Sequence, residues 1–336
     1  KRAIYKVRGK RVRTDADLQF IDAFVADAVK EILRTRDFTT AANTRGIILS
    51  RVSKQGQYAQ QFSESAHKYI AAAMQEAATL PADRSYKVNV NFMVLIDRLK
   101  DLSLVDLAFN AVGSDSAAVR YWAMRVMTSD VVIDSIKRGT NATVTNRILD
   151  TLAKSYQQCS PDALALIATL AAAIESSAGM DLLLDVVNHR IAKYADWSVT
   201  EEETDTRLLK FLCQEIMKSN ADKERLASAF AQLFSHVIQR YAKGQNRLNP
   251  VQSKQLISVI AETEDKCIGT LMGMPQNNLR RALERDDRTA LLSEHDSLLG
   301  SALTPGQLPG KLKFSYGANA DGTQRNAPKT LSSPRS

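Results

Sequence analysis

The residue types that most often perform chemistry are few in this chain of 336 residues and lie far apart. No histidine has a second histidine or a cysteine three or four residues away, the spacing at which a helix presents two zinc ligands. Three cysteines at equal intervals of 54 residues fit neither a disulfide framework nor a Cys-x-x-Cys metal site. The sequence therefore predicts no metal ion and no cofactor. These residues are His67, His189, His236, His295, Cys159, Cys213 and Cys267.

Other catalytic or phosphate-binding motifs are incomplete. Gly306, Gly310 and Lys311 have the residue types of a phosphate-binding loop without its spacing, and Leu312 stands where that loop needs serine or threonine. The acids between Glu201 and Asp205 could attract a cation, but the first turn of a helix stabilises carboxylates without one, and this is our interpretation of them. We expect a protein that is not an enzyme.

Two groups of aromatic and basic side chains are candidates for binding a partner. Tryptophan, tyrosine and arginine are enriched in the hot spots of protein interfaces. The alternative for each group is that the rings only fill space between helices. The candidate partner-binding residues are Arg120, Tyr121, Trp122, Arg125, Tyr194 and Trp197.

The net charge of +8 comes from the two ends of the chain. Residues 1–13 carry +7 and residues 304–336 carry +4, which leaves −3 for the body between them. A basic arm over residues 1–13 could bind nucleic acid or an anionic lipid surface, and the alternative is a solvated terminus. The candidate anion-binding residues of this arm are Lys6, Arg8, Lys10, Arg11 and Arg13.

The elements that must position these residues are helices. Apolar residues recur at three- and four-residue spacing through most of residues 14–274, which is typical of amphipathic helices with short connections. Residues 86–92 alternate like a strand, yet helical spacing continues from Phe92 to Leu99, so we predict a helix from about Asn89. The low aromatic content of 6% also favours helices packed on helices over sheets.

One stretch, residues 102–139, contains a short helix, a turn and a second helix. It resembles the helix-turn-helix unit of HEAT repeats, although the proline usual in the turn is absent. The resemblance implies an all-α fold, an irregular α-solenoid of stacked antiparallel helix pairs of the HEAT or armadillo kind. The residues that match are Asp115, Val119, Arg120 and Ala123.

We expect four divisions of the chain: the basic arm (1–13), a helical-repeat domain (14–274), a weakly helical extension (275–300) and a disordered tail (301–336). The tail is predicted because apolar periodicity fades there while Pro, Gly, Ser and Asn accumulate. No stretch approaches the roughly 20 apolar residues that cross a bilayer, so we predict no transmembrane segment. The compartment stays open: cytoplasm, or periplasm if a signal peptide preceded Lys1.

Three functional classes follow from these observations. The first is a non-catalytic binding or scaffolding protein that uses its helical-repeat surface for protein–protein interaction. The second is nucleic-acid or anionic-surface binding through the basic arm and the arginine and aromatic groups, which the negative body disfavours. A third, enzymatic class would be a helical-repeat DNA glycosylase, which needs a carboxylate in a cleft flanked by aromatic rings.

Overall fold

The structure is a computed structural model that describes residues 2–10, 14–53, 56–218 and 222–332. These described residues form helices and connecting loops, with two isolated single-residue β-bridges and no strand. The prediction of an all-α fold is confirmed. The chain divides into two compact units, residues 1–166 and 167–336. The boundary lies inside a helix and coincides with none of the divisions predicted from composition.

The first unit is built on long amphipathic helices. Helix α2 (Asp15–Arg34) is capped by Thr14. The Thr14 side chain accepts a hydrogen bond from the backbone N–H of Asp17, and the Asp17 carboxylate accepts one from the backbone N–H of Thr14. The helix packs lengthwise on α4 through apolar residues at helical spacing. The α-helices are α1 (Arg2–Arg8), α2 (Asp15–Arg34), α3 (Phe38–Leu49), α4 (Gly56–Ala77), α5 (Ala82–Leu99), α6 (Ala117–Met127), α7 (Asp130–Lys137), α8 (Ala142–Ser155) and α9 (Pro161–Ala173), which contains the unit boundary, with 3-10 helices at Leu102–Ala108, Ala111–Gly113 and Tyr156–Gln158.

The strand-like residues before Asn89 are helical. Helix α5 begins at Ala82, seven residues earlier than predicted, directly after Pro81. The alternation over residues 86–92 is overridden because Val88, Phe92 and Leu95 are buried at four- and three-residue spacing on one face of the helix.

The second unit surrounds one buried helix, α12. Nearly every residue of α12 from Leu226 to Tyr241 is buried, including four polar ones, and α10, α11, α13 and α16 pack on it. The helices of this unit are α10 (Ser177–Ala195), α11 (Thr204–Lys218), α12 (Lys223–Lys243), α13 (Pro250–Thr263), α14 (Gly269–Met272), α15 (Asn278–Glu284), α16 (Arg288–Leu299) and α17 (Gln307–Leu312), with a π-helical turn at Glu264–Ile268.

The predicted weakly helical extension contains two complete helices, α15 and α16. The π-helical turn helps to begin α15 because it contains Glu264, a residue with only 2% of its surface exposed. Its two oxygens accept from the backbone N–H groups of Leu279 and Arg280 at 2.8 Å each. A carboxylate that satisfies two free N–H groups stabilises the start of α15.

The prediction of disorder over residues 301–336 is not confirmed for residues 301–332, and residues 333–336 lie outside the described part. This segment contains α17 and then follows an irregular path in which several apolar side chains are buried. Gly306, which the sequence analysis compared with a phosphate-binding loop, is required by this packing. A Cβ at this position would lie 2.3 Å from the carbonyl carbon of Leu299, so only glycine fits. The buried apolar side chains are Leu308, Leu312, Phe314, Tyr316 and Leu331.

None of the helices in the described ranges is long and apolar enough to span a bilayer.

Candidate functional site

The C-terminal segment, residues 328–332, has no regular secondary structure and is hydrogen-bonded to α12 mainly through its backbone. Four long polar side chains of α12 face it, at positions i, i+4, i+7 and i+11 of the helix. This spacing places the four on one face, because a residue four or seven positions on returns to nearly the same side of a helix. We call this surface, together with the ring of Trp197, the α12 groove. The four residues are Gln232, His236, Gln239 and Lys243.

The first pair of groove residues binds Lys329. The Gln232 amide accepts from the backbone N–H of Lys329 at 2.8 Å and donates to its carbonyl at 3.1 Å. The His236 Nε2 lies 3.1 Å from the same carbonyl and 2.8 Å from the Gln232 amide nitrogen, so the tautomer of the ring determines whether it donates to the first or accepts from the second. Both main-chain groups of Lys329 are therefore bound, while its side chain is exposed.

The second pair binds Leu331 in the same manner. The Gln239 side-chain oxygen accepts from the N–H of Leu331 at 2.9 Å, and the Lys243 ammonium donates to its carbonyl at 2.9 Å. The Leu331 side chain is buried, with 2% of its surface exposed. Residues 329 and 331 are two apart, which is the period at which an extended chain presents the same side.

Trp197 extends the contact by one residue, because its indole N–H donates to the carbonyl of Ser332 at 3.0 Å. Its backbone has a φ of 64°, in the left-handed region that a non-glycine residue adopts only when its surroundings impose it. The Arg240 guanidinium lies 5.4 Å from the centre of the ring and donates to the Trp197 carbonyl at 3.4 Å. The position of Trp197 is thus set by α12 itself.

Arg240 also anchors the loop that carries Trp197. It donates to the Glu202 carboxylate at 3.0 Å and to the carbonyl of Val199 at 3.2 Å. Glu202 is completely buried, so its charge depends on this partner. Glu202 precedes α11 rather than lying in its first turn, which differs from our interpretation of the acidic cluster. Across the described residues, no three His, Cys, Asp or Glu side chains are close enough to hold a metal ion.

A second buried ion pair supports the same loop. Arg190 and Asp205 form two parallel hydrogen bonds of 2.8 Å, and the Tyr194 hydroxyl donates to the carboxylate at 2.6 Å. Arg190 also donates to the carbonyl of Thr200 at 3.0 Å. Burial, reinforced by the Asp205 charge, raises the pKa of Tyr194, so its hydroxyl stays protonated as a donor. The pair fixes α10 to α11 behind the groove.

His236 is neutral at physiological pH. Burial lowers the pKa of His236 to about 4, and the neighbouring Lys243 and His295 act in the same direction, while the backbone groups of Lys329 and Ile191 oppose them. The Tyr194 ring lies 6.2 Å away, centre to centre. The imidazole is therefore uncharged where it contacts the bound segment.

An open cavity of about 640 Å³ adjoins the end of the groove where the segment enters. On the helix side it is lined by acids, Asp185 and Glu224, together with Arg225. Arg225 is already paired with Asp181 at 2.8 Å and Asp222 at 3.0 Å. Desolvation, and then the neighbouring Asp181, raise the pKa of Asp185. The other side is formed by residues that follow α17, including Arg325, which precedes the C-terminal segment, and Lys329 within it.

Of the partner-binding residues predicted from sequence, the structure brings Trp197 into the groove and places Tyr194 in the core beneath it. The four on α6 lie in the other unit and are partly exposed. There, Arg120 donates to the carbonyls of Ser114 and Asp115, at 2.7 Å and 3.0 Å. The Arg125 guanidinium lies 4.9 Å from the centre of the Trp122 ring, and the Tyr121 and Trp122 rings meet edge to face.

The predicted basic arm is helical over Arg2–Arg8, where Ile4 and Val7 are buried. Two of its cations have partners within the protein: Arg8 donates to the carbonyl of Ser50 at 3.1 Å, and Lys10 pairs with Asp17 at 2.6 Å. Lys6 is exposed. Arg11 and Arg13 lie outside the described residues.

The polar row of α12 was not singled out from sequence. A signal for it exists, because Gln232, His236, Gln239 and Lys243 recur at i, i+4, i+7 and i+11, on one face of α12. A polar row on a buried helix needs hydrogen-bond partners from elsewhere in the chain. The identity of those partners, a segment about ninety residues later, leaves no trace in the local pattern.

The chain matches no family model, and a search of curated proteins finds none similar to it.

Proposed function

We propose that this protein is a non-catalytic binding protein that recognises an extended peptide segment of a protein partner in the α12 groove. The observation that carries the proposal is the bonding of both main-chain groups of Lys329 and Leu331 by side chains of one helix. Those groups are common to every peptide, so the same side chains suit a segment from another chain.

The chemistry of the groove favours an extended peptide over a helix. A side-chain amide both donates and accepts, so one glutamine satisfies the N–H and C=O of one residue. In a helix those groups are already bonded to one another, and only an extended segment leaves them free. Backbone pairing supplies affinity for any sequence, while the buried side chains supply selectivity.

The contact with the chain's own segment is small enough to be exchanged. Only Pro328 and Leu331 are buried among residues 328–332, whereas Lys329, Thr330 and Ser332 are exposed. Burying one leucine contributes about 1.5–3 kcal/mol, and each backbone hydrogen bond about 1 kcal/mol. A competing peptide with the same contacts can replace the segment, provided that its concentration exceeds that of the tethered one.

We further propose that the helices of each unit stack as an irregular α-solenoid of HEAT-like pairs. Support comes from the 102–139 stretch, where Val119 and Ala123 are buried and Arg120 bonds back to the turn that contains Asp115. Neighbours in sequence also pack on each other, as α5 does on α6 and α11 on α12. Such stacks offer extended surfaces for protein partners.

The test uses the full-length chain with Leu331→Asp, which leaves α12 intact and removes the main apolar anchor of the segment. A fluorescent peptide of residues 325–332 is titrated into it and binding is followed by anisotropy. The matched control is Leu303→Asp, because Leu303 is 89% exposed. We expect saturable binding to the Leu331→Asp chain, and binding to the control at least about tenfold weaker, since the control keeps its tethered competitor.

Equal affinity for the two chains, or no binding to either, contradicts the proposal. Adding Gln239→Ala to the Leu331→Asp chain should weaken binding by about tenfold if the groove is the site, because one main-chain hydrogen bond is lost. A parallel titration with single-stranded DNA tests the electrostatic alternative. If DNA binds, and that binding weakens steeply with salt while no peptide binds, the function lies in the basic residues rather than in the groove.

A further inference from the structure

The α12 groove and the cavity beside it differ in chemistry, and together they restrict which peptide fits. We infer that the partner of this groove is a basic, extended peptide in which a proline precedes a leucine by three residues, running parallel to α12. This inference rests on the proposed function and adds the class of partner. Its support comes from three features of the bound segment: its apolar anchors, its rigidity and the charge around its entry.

The apolar anchors are Pro328 and Leu331. Both are buried, and the residues between and after them, Lys329, Thr330 and Ser332, are exposed. The segment thus has two buried apolar side chains separated by two exposed residues. The requirement is for a proline and a leucine at a fixed distance, with freedom at the positions between them.

The proline suits the first subsite for two reasons. It has no backbone N–H, so its burial leaves no main-chain donor to satisfy. It also disfavours helix at the residue before it, Ala327, and so holds the peptide in the extended form that the groove binds. An already extended peptide loses less conformational entropy on binding.

The direction of the peptide follows from the order of contacts. Lys329 is bound by Gln232 in the middle of α12, and Leu331 by Gln239 and Lys243 about two and three turns later along the helix. In a segment that ran in the opposite direction, the N–H and C=O groups would be shifted relative to the side chains of Gln232 and Gln239. Such a segment would also take the leucine away from its subsite.

The requirement for positive charge comes from the cavity at the entry. Its helix side contains Asp185 and Glu224, while the one cation there, Arg225, is shared between Asp181 and Asp222. When the segment is bound, Arg325 and Lys329 line the opposite side of the cavity. When the segment leaves, these two cations leave with it, and the cavity keeps an excess of acids. A peptide that replaces the segment therefore needs basic residues at the positions of Arg325 and Lys329, on either side of the proline.

The experiment compares variant peptides on the full-length Leu331→Asp chain, with circular dichroism to check its helicity and Leu331→Ser as a milder second chain. The probes are the fluorescent peptide of residues 325–332 and four variants of it, carrying Leu331→Ala, Pro328→Ala, Thr330→Ala, or Arg325→Glu with Lys329→Glu. We expect affinity to fall about 30-fold for the leucine change, because about 2 kcal/mol of burial is lost. We expect a fall of about threefold to tenfold for the proline change, and no change for Thr330→Ala.

The charge-reversed peptide should bind at least about tenfold more weakly at low salt, and the difference should shrink at 0.5 M salt. Similar affinities for all five peptides overturn the inference while leaving the proposed function in place, because the groove would then bind main chain without selection. Failure of every peptide to bind, including the unchanged one, overturns the proposed function itself. If Thr330→Ala lowers the affinity as much as Leu331→Ala does, the assignment of Pro328 and Leu331 as anchors is contradicted.

Discussion

The side-chain oxygen of Gln239 accepts a 2.9 Å hydrogen bond from the backbone nitrogen of Leu331, 92 residues later in the chain. Gln239 is almost fully buried, and its amide nitrogen donates to Ser235 at 2.8 Å. A buried amide without a hydrogen-bond partner costs free energy. Gln239 therefore favours the state in which a peptide is bound to α12.

The first prediction concerns that bond. In Gln239→Ala the Leu331 N–H loses its acceptor, and we expect its hydrogen exchange to speed up by about tenfold, the equivalent of one hydrogen bond. Exchange is measured by NMR on the full-length protein. Gln158→Ala, at an exposed position in the other unit, is the control and should leave the exchange of Leu331 unchanged. Unchanged exchange in Gln239→Ala would show that the bond does not hold the segment.

The second prediction compares a buried ion pair with an exposed one. Asp205→Asn removes the charge that neutralises buried Arg190, and we expect the free energy of unfolding to fall by about 3–5 kcal/mol. Asp181→Asn breaks the exposed pair with Arg225, in which each side chain is more than half exposed, and should cost less than about 1 kcal/mol. Urea denaturation followed by circular dichroism measures both. Equal losses would contradict the buried role of Arg190 and Asp205.

The third prediction is a pH dependence. An unfolded histidine has a pKa near 6.5, and burial lowers the pKa of His236 to about 4 in the folded protein. Between these values the unfolded state binds more protons, so this contribution to stability is complete above about pH 6.5 and declines as the pH falls towards 4. The loss from this group amounts to about 3 kcal/mol in all.

The measurement for His236 is the slope of unfolding free energy against pH between 4.5 and 7, in the native chain and in His236→Gln. We expect the slope to be smaller in His236→Gln, because the other titrating groups are common to both chains. Identical slopes would mean that His236 is accessible to protons in the folded protein and not covered by Lys329.

The fourth prediction uses Trp197 as a reporter of the bound segment. Leu331→Asp should release Ser332 from the indole N–H and expose the ring, which shifts its fluorescence to longer wavelength. Trp122→Phe in both chains leaves Trp197 as the single emitter, because the protein has two tryptophans. Leu303→Asp in the same background should leave the emission where it is. A shift of similar size in that control would indicate a general effect of the added charge.

The helices could be predicted from sequence because their stability depends on local periodicity and capping. Ile21, Val25 and Ala28 mark the buried face of α2 whatever it packs against, and Thr14 marks its start. The start of α5 was missed because residues 86–92 fit a strand and a helix equally well, and only burial by neighbouring helices decides between them.

The groove could not be predicted because its contacts are non-local and largely main-chain. Residues 328–332 show no apolar periodicity, and Lys329 is held by its N–H and C=O rather than by its side chain. The acids at 202 and 205 gave no sign of their partners, because Arg240 and Arg190 lie on other helices. Composition predicted disorder over residues 301–336, and it gave no sign that four side chains of α12 bond to residues 329 and 331.

The measurement that tests the central claim most directly is hydrogen exchange of residues 328–332 in the native full-length protein, labelled with ¹⁵N, with and without an excess of unlabelled peptide of the same sequence. The account predicts that the Lys329 and Leu331 amides are protected in the protein alone and lose protection when the peptide is added, because the two compete for Gln232 and Gln239. Protection that persists at saturating peptide, or amides that exchange at the rate of an unstructured chain from the start, would contradict it.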